Sequence, residues 1–213
     1  MKKAIIIGAS SGIGKGISLE LLSKNYKIAI SARRKNRLDE IKKINSENVL
    51  VYEFDSSTEK NNELLDSMIK DLGRVDLIIY CSGIGLINKE LDYLKDKKVN
   101  NLNVAGFTQV VTYAFNYFIK NGGGHIVNIS SVASEIGNGL ATSYNASKAY
   151  QANYFQGLRF KAFKLKLPIY LTDVRPGFVD TDILMGNKDK LIWVAPLEKA
   201  CRQIISGIER KSK

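Results

Sequence analysis

Short runs of consecutive apolar residues alternate along the chain with longer stretches in which apolar residues recur every three or four positions. The runs are mostly apolar and do not alternate strictly with polar residues, which is typical of strands buried on both faces of a parallel sheet. The intervening stretches have the period of amphipathic helices. The pattern predicts six strands, at residues 4–8, 27–31, 49–54, 76–80, 125–129 and 169–174.

Helices are predicted between these strands. They span residues 12–24, 36–44, 57–72, about 144–165 and about 197–208, and Ser57 or Thr58 is the expected N-cap of the third. Strands and helices in alternation, joined by right-handed crossovers, give a doubly wound arrangement. The predicted fold class is α/β, with a parallel sheet flanked by helices on both faces. No linker or repeat divides the chain, so we expect a single Rossmann-type domain over residues 1–213.

Composition narrows the range of partners. The chain has 32 Lys and Arg against 21 Asp and Glu, a net charge of +11. The lysines are spread among acidic residues, without a basic tail, zinc-ligand spacing or aromatic-basic ribbon, so we expect neither a nucleic-acid partner nor a metal. No apolar run reaches the roughly eighteen residues of a membrane span, and the first strand begins too early for a secretory signal. We therefore expect no membrane association and a cytoplasmic location, where Cys81 and Cys201 would be buried thiols.

Two residues of the helix that follows the fifth strand could form a catalytic pair. Tyr144 and Lys148 are four positions apart, so both lie on one helix face. An ammonium beside a phenol lowers the pKa of the tyrosine from about 10 toward neutrality, where proton transfer is efficient. Ser131 follows the fifth strand, at the edge where open parallel sheets bind ligands. By itself, the Tyr-Lys spacing is a weak pattern and favours a surface helix that carries an unrelated tyrosine and lysine.

A glycine-rich turn follows the first strand and opens the first helix. Its sequence is Gly8-Ala9-Ser10-Ser11-Gly12-Ile13-Gly14. The spacing is G-x-x-x-G-x-G, whereas G-x-G-x-x-G is the commoner form. Glycines let the backbone approach a pyrophosphate closely, and the helix N-terminus supplies free N–H groups and the positive end of the helix dipole. The turn therefore predicts phosphate binding, with an ordinary glycine-rich connection as the simpler alternative.

Taken together, these and further motifs make essentially the whole chain resemble the short-chain dehydrogenase/reductase family. The motifs occur in the family's order and spacing at the glycine-rich turn, Asp55, Ser82-Gly83, Asn103, Ser131, Tyr144, Lys148, Pro176-Gly177 and Thr181. The resemblance implies an NAD(P)(H)-dependent oxidoreductase that interconverts a small-molecule carbonyl compound, a ketone or aldehyde, and an alcohol. The chain departs from the family in having Tyr80-Cys81-Ser82-Gly83 in place of the usual Asn-Asn-Ala-Gly. Many members also continue into a seventh strand, so we expect a compact variant or a shortened chain.

The resemblance implies roles for four residues. Tyr144 would donate a proton to the carbonyl oxygen as hydride reaches the carbon. Lys148 would lower the pKa of Tyr144 and bind the nicotinamide ribose, and Ser131 would hold the carbonyl oxygen. Asn103 would position a water for the proton relay, and the simpler role for this asparagine is to satisfy a helix bend.

The resemblance implies that residues spread along most of the chain contact the cofactor. They are Gly8, Ser10, Ser11, Gly12, Ile13, Gly14, Arg33, Arg34, Asp55, Ser56, Ser82, Gly83, Tyr144, Lys148, Pro176, Gly177, Val179 and Thr181. Asp55 would reach the adenine amino group, and Thr181 the nicotinamide carboxamide. The second strand ends in Ala32-Arg33-Arg34, without the acidic residue usual in NAD-preferring members. Since a guanidinium pairs well with phosphate, NADP(H) is the preferred cofactor and NAD(H) a possible one, unless the arginines merely cap a loop.

Other functions are compatible with the same fold. A non-catalytic dinucleotide-sensing regulatory protein would typically have lost the tyrosine or the lysine, and both are present here. An epimerase or dehydratase would usually need a larger C-terminal domain. His125, the single histidine, begins a strand at the edge opposite the expected site, which favours a structural role for it.

Two sets of apolar residues could each serve a function at the surface or belong to the core. Family members often pair through the helices that carry Asn103 and Tyr144, so a homodimer or homotetramer is expected. The residues available for that contact are Phe107, Val111, Phe115, Phe118, Tyr150, Tyr154 and Phe155, unless they are core positions. Residues 181–196 could form a lid over an apolar substrate or pack on the core. The apolar residues of that segment are Ile183, Leu184, Met185, Leu191, Ile192 and Trp193.

Overall fold

The sheet is built from six strands. They are β1 (Lys3–Ile7), β2 (Lys27–Ala32), β3 (Val49–Glu53), β4 (Leu77–Tyr80), β5 (Gly124–Ile129) and β6 (Ile169–Val174). Neighbouring strands are all parallel, in the order β3-β2-β1-β4-β5-β6. The computed structural model describes residues 1–184 and 193–211. All six predicted strands are present, and their ends lie within one residue of the prediction.

Helices cover both faces of this sheet. They are α1 (Gly12–Ser23), α2 (Lys35–Ile44), α3 (Asn61–Leu72), α4 (Tyr93–Asn100), α5 (Phe107–Lys120), α6 (Thr142–Leu165) and α7 (Leu197–Glu209). A π-helical turn, Asn101–Gly106, joins α4 to α5, and short 3₁₀ turns occur at Val132–Ser134 and Asp182–Leu184. The predicted α/β fold, with a parallel sheet flanked on both faces, is confirmed.

Alternate residues of the strands supply two cores. Ile5 and Ile7 of β1 face the layer of α3, α5 and α6, whereas Ala4 and Ile6 face the layer of α1, α2 and α7. This division follows from the strand period of two, which sends successive side chains to opposite faces. Because helices cover both faces of the sheet, a binding site has to form at its carboxyl edge.

The predicted N-cap of α3 is wrong. The helix begins at Asn61, three residues later than the latest predicted cap, Thr58. The carboxylate of Asp55 accepts hydrogen bonds from both the backbone N–H and the hydroxyl of Ser57, at 2.9 and 2.8 Å, and Thr58 donates to the backbone carbonyl of Asp55. Both hydroxyl residues therefore belong to the turn that follows β3, because Asp55 engages them locally.

The predicted apolar pairing surface is mostly core. Five of its seven residues are no more than 2% exposed: Phe107, Val111, Phe115, Phe118 and Phe155. They belong to the core layer between the sheet and α3, α5 and α6. Tyr150 and Tyr154 remain partly accessible, and their hydroxyls lie 2.9 Å from those of Thr108 and Thr112. The alternative, that most of these residues are core positions, is correct.

The predicted lid lies only partly within the described residues. Met185, Leu191 and Ile192 fall outside them, as does the side chain of Leu184. Ile183 is 43% exposed and Trp193 is 91% exposed, so neither side chain is packed in the core. None of the described helices is long and apolar enough to cross a membrane.

Candidate active site

A cavity of about 910 Å³ opens at the carboxyl edge of the sheet. Every residue predicted for the site lines this cavity except Asn103. The strand order explains its place. The chain leaves β1 toward β2 on one side and leaves β4 toward β5 on the other, which creates a crevice at the carboxyl ends of these adjacent strands.

The glycine-rich turn lies against the segment that follows β4. Gly8 has a φ of 94°, and a Cβ at this position would lie 2.6 Å from the backbone nitrogen of Ser82. A Cβ at Gly14 would lie 2.1 Å from the carbonyl oxygen of Gly8. Only glycine allows this close approach of backbone to backbone. The first turn of α1 is thereby brought to the cavity floor, where its N–H groups can meet an anion.

Arginines gather beside this turn. Arg34 donates to the hydroxyls of Ser10 and Ser11, at 3.1 and 2.7 Å from Nη2. Arg33 lies 4.0 Å from the carboxylate of Asp55. Sequence reasoning missed a third guanidinium, Arg37, which lies one turn along from Arg34 at the start of α2 and contacts Asp182 at 3.2 Å. The i, i+3 spacing from Arg34 was the available signal for it.

Ser131 and Tyr144 meet on the opposite side of the cavity. Ser131 follows β5 and accepts a hydrogen bond from the backbone N–H of Ala133 at 3.1 Å. Burial raises the pKa of Tyr144, and a hydrogen bond with the Ser131 side chain partly offsets this rise. The phenol is therefore protonated at neutral pH, and a hydroxyl lies beside it.

Lys148 is buried one helical turn beyond Tyr144. Its Nζ lies 5.8 Å from the centre of the Tyr144 ring, and it donates to the carbonyl of Ile129 at 2.9 Å and to Oε1 of Gln151 at 3.1 Å. Burial lowers the pKa of Lys148 to about 8, against the opposing effect of Asp173 and Cys81.

The predicted lowering of the Tyr144 pKa by Lys148 is not seen in this structure. The pKa of Tyr144 is raised because burial of the phenol dominates. The Lys148 ammonium donates to Ile129 and Gln151 on the interior side. The shared helix face brings Lys148 near Tyr144, but it does not point the Lys148 ammonium at the phenol oxygen.

Asn103 lies behind the cavity, fully buried within the π-helical turn. Its side chain accepts from the backbone N–H of Ile84 at 3.0 Å and donates to the carbonyl of Ile84 at 2.9 Å and to the hydroxyl of Ser147 at 3.0 Å. Its backbone carbonyl accepts from Gln151. These bonds fasten the segment after β4 to α6, and both amide hydrogens of Asn103 are used within the protein.

Two further residues that sequence reasoning missed hold the site together. Asn145 donates to the carbonyls of Ala133 and Ile136, at 3.2 and 2.7 Å, and so fixes the segment after Ser131 against α6. Gln151 connects Lys148 with Asn103. Asn145 carried a weak signal as the neighbour of Tyr144, and Gln151 carried only its i, i+3 spacing from Lys148.

The wall beyond Tyr144 is mainly apolar. Aliphatic and aromatic side chains contribute to it from the segments that follow β4, β5 and β6. They are Ile84, Leu86, Ile87, Val132, Ile136, Leu140, Phe178 and Ile183. Lys89 and Asn138 are polar members of the same lining. A substrate entering here would meet mostly hydrocarbon, which favours apolar ligands.

His125 lies away from the cavity, near the amino end of β5. It is buried, and its Nε2 lies 2.9 Å from the hydroxyl of Thr172 on the neighbouring strand. Burial, with a smaller contribution from the charge of Lys211, lowers the pKa of His125 to about 4. This placement agrees with the predicted structural role.

Comparison with known protein families gives a match over most of the chain. A family model described as short chain dehydrogenase matches residues 2–191. Among curated relatives, the "11-beta-hydroxysteroid dehydrogenase-like 2" of Arabidopsis thaliana is 31% identical over 222 residues, which is 98% of this chain and 71% of that protein. The "11-beta-hydroxysteroid dehydrogenase 1A" of the same plant is 28% identical over 237 residues, covering 100% of this chain and 67% of that protein.

Solved structures show the same architecture. A short-chain dehydrogenase from Sphingobium yanoikuyae in complex with NADPH superposes with a TM-score of 0.89 at 23% identity, over 99% of this chain and 85% of that chain. ElxO with NADP bound gives a TM-score of 0.85 at 25% identity, over 96% of this chain and 90% of that chain.

Proposed function

The chain belongs to the short-chain dehydrogenase family of NAD(P)-dependent oxidoreductases that act on alcohols and carbonyl compounds, and from this premise we propose that it reduces a ketone or aldehyde with NADPH. The observation that carries the proposal is the cavity itself. It has a glycine-rich turn and arginines at one end, and Ser131, Tyr144 and Lys148 at the other. A dinucleotide spanning the crevice would place its phosphates at the first end and its nicotinamide at the second.

The residues at the phosphate end fit NADP(H). The close packing of Gly8 against Ser82 brings the first turn of α1 to the cavity, and the N–H groups of that turn, which no side chain caps, suit a pyrophosphate. Arg33 and Arg34 provide guanidinium groups for a further phosphate, and β2 ends in Ala32 where an acidic residue would repel it. NADPH and NADP in the two solved relatives support this preference, with NAD(H) as the alternative.

Bound NADPH would supply the hydride that reduces the carbonyl carbon. Tyr144 would donate a proton to the carbonyl oxygen, and it holds that proton at neutral pH because burial raises its pKa. Ser131 would hold the same oxygen with its hydroxyl. Lys148 would bind the nicotinamide ribose with its ammonium. Asn103 would act from behind, by fixing the backbone against which these groups pack.

The substrate we propose is an apolar ketone. The aliphatic lining beyond Tyr144 supports this choice, as do the relatives described as hydroxysteroid dehydrogenases. The rival function, a dinucleotide sensor without turnover, has less support because the tyrosine, the lysine and the serine are present and adjacent. Self-association, as a homodimer or homotetramer, stays a prediction, and light scattering tests it against the chain mass of 23.7 kDa.

The test is NADPH oxidation, followed by absorbance, across a panel of apolar ketones, aldehydes, quinones and acyl thioesters. Tyr144→Phe should bind NADPH as the parent does and lose turnover by roughly 10²–10⁴-fold, because only the acidic hydroxyl is removed. Tyr150→Phe is the matched control, since Tyr150 lies on the same helix and does not line the cavity. Near-parent activity in Tyr144→Phe would contradict the proposal.

A further inference from the structure

Gln151 lies on α6, one turn beyond Lys148, and is fully buried. Its Oε1 accepts from Nζ of Lys148 at 3.1 Å, and its Nε2 donates to the backbone carbonyl of Asn103 at 2.7 Å. Reversing the amide would set its oxygen against a carbonyl and its NH₂ group against an ammonium. The two partners therefore fix the orientation of the amide chemically.

The π-helical turn leaves the Asn103 carbonyl available for this bond. In a regular α-helix the N–H of Phe107 would bond to the carbonyl of Asn103, four residues earlier. Here the N–H of Phe107 bonds to the carbonyls of Leu102 and Val104 instead. The Asn103 carbonyl accepts from Gln151, and the irregular turn thus becomes an anchor for α6.

We propose that Gln151 is a positioning residue that ties the Lys148 ammonium to Asn103 and thereby sets both the place of that ammonium and its hold on its proton. The inference rests on the proposed function, in which Lys148 binds the cofactor ribose. A neutral amide neither gains nor loses a proton near neutral pH, so Gln151 orients Lys148 without relaying protons. On its interior side, the Lys148 ammonium thus donates a hydrogen bond to the Gln151 amide, which does not titrate.

Other ionisable groups around Lys148 define what Gln151 adds. Asp173 faces it from β6, Cys81 from the segment after β4, and Tyr144 from its own helix. Burial favours the neutral amine of Lys148 over the charged ammonium. Each group that accepts a hydrogen bond from the ammonium stabilises the charged form and so opposes that effect. Removing the Gln151 acceptor should therefore make Lys148 give up its proton at a lower pH.

The experiment measures the pKa of Lys148 directly, by NMR titration of protein labelled with ¹³C in its lysine side chains. The resonance is identified by its absence from Lys148→Met. In Gln151→Met, which keeps the side-chain volume, the pKa of Lys148 should fall by roughly 0.5–1 unit, since one hydrogen bond to the charged form is lost. Gln151→Leu provides the same measurement if the Met variant does not fold. In Gln151→Glu, which restores an acceptor, the pKa of Lys148 should equal or exceed the parent value.

Gln109→Met is the matched control. Gln109 is half-buried on α5, and its Oε1 accepts from Asn61 at 3.0 Å, far from Lys148 in the hydrogen-bond network. It should lose stability without moving the Lys148 titration. An unchanged pKa of Lys148 in Gln151→Met, or equal downward shifts in the Met and Glu variants, would overturn the inference.

NADPH titration provides a second, independent reading. The Gln151→Met variant should bind NADPH several-fold more weakly than the parent, because its ammonium is less well placed for the ribose. If the parent itself does not bind NADPH, the proposed function fails, and the Lys148 titration still decides the role of Gln151.

Discussion

Burial of His125 should make this protein less stable in acid. The pKa of His125 is lowered from 6.5 to about 4, first by burial and then by the charge of Lys211. The folded state therefore binds fewer protons than the unfolded state between these values. The contribution of the neutral imidazole is complete above pH 6.5 and is lost as the pH falls toward 4. The difference between the two pKa values corresponds to about 3 kcal/mol in total, of which about 2 kcal/mol is lost by pH 5.

The measurement is urea unfolding at several pH values between 8 and 5, for the parent and for His125→Gln. Glutamine can still meet the Thr172 hydroxyl, to which His125 bonds at 2.9 Å, and it does not titrate. Carboxylates titrate in both proteins and cancel in the difference. We expect the parent to lose about 2 kcal/mol more than the variant between pH 8 and pH 5. A difference that stays constant with pH would refute the reasoning and indicate that the imidazole of His125 titrates as it does in the unfolded chain.

Three further outcomes can be checked. Arg33→Ala should weaken NADPH binding about tenfold and NADH binding much less, because one charged contact to phosphate is lost. Parallel titrations with the two cofactors measure this, and equal affinities of the parent protein for NADPH and NADH would contradict the proposed role of Arg33 and Arg34. Gly124→Ala should cost roughly 1–3 kcal/mol in urea unfolding, since its Cβ would lie 2.1 Å from buried Phe118, whereas Gly139→Ala meets nothing within 4 Å and should be neutral. Acrylamide should quench Trp193, the single tryptophan, efficiently in the free protein, and a protected emission would contradict its exposure.

Strands and cavity could be predicted because their signals are local. A continuous apolar run such as that of β1 specifies a buried strand, and the glycines of the following turn specify close backbone approach. The site residues then follow from the strand ends, since parallel strands present their carboxyl ends at one edge. The arginines after β2 were accessible to the same reasoning, which named two of them and missed Arg37.

Features that depend on competition between partners could not be predicted. Ser57 has the side chain of an N-cap, but Asp55 engages it first, and the sequence does not rank these two bonds. The apolar face of α5 has the same period whether it covers a core or another subunit, so Phe115 gave no basis for choosing. Gln151 was missed because a buried amide is recognised by its partners, which come from a distant turn, and not by its spacing.

The strand order also has a consequence for how the protein reaches its fold. β1 pairs with β2 on one side and with β4 on the other, and the backbone nitrogen of Lys3 bonds to the carboxylate of Asp76, 73 residues further along the chain. Closing so long a loop is slow, since its entropy must be lost before the contacts form. Gly8 packs against the backbone of Ser82 only after this loop has closed. The crevice should therefore be completed late in folding, and NADPH, by binding only the closed sheet, should slow unfolding more than it speeds refolding.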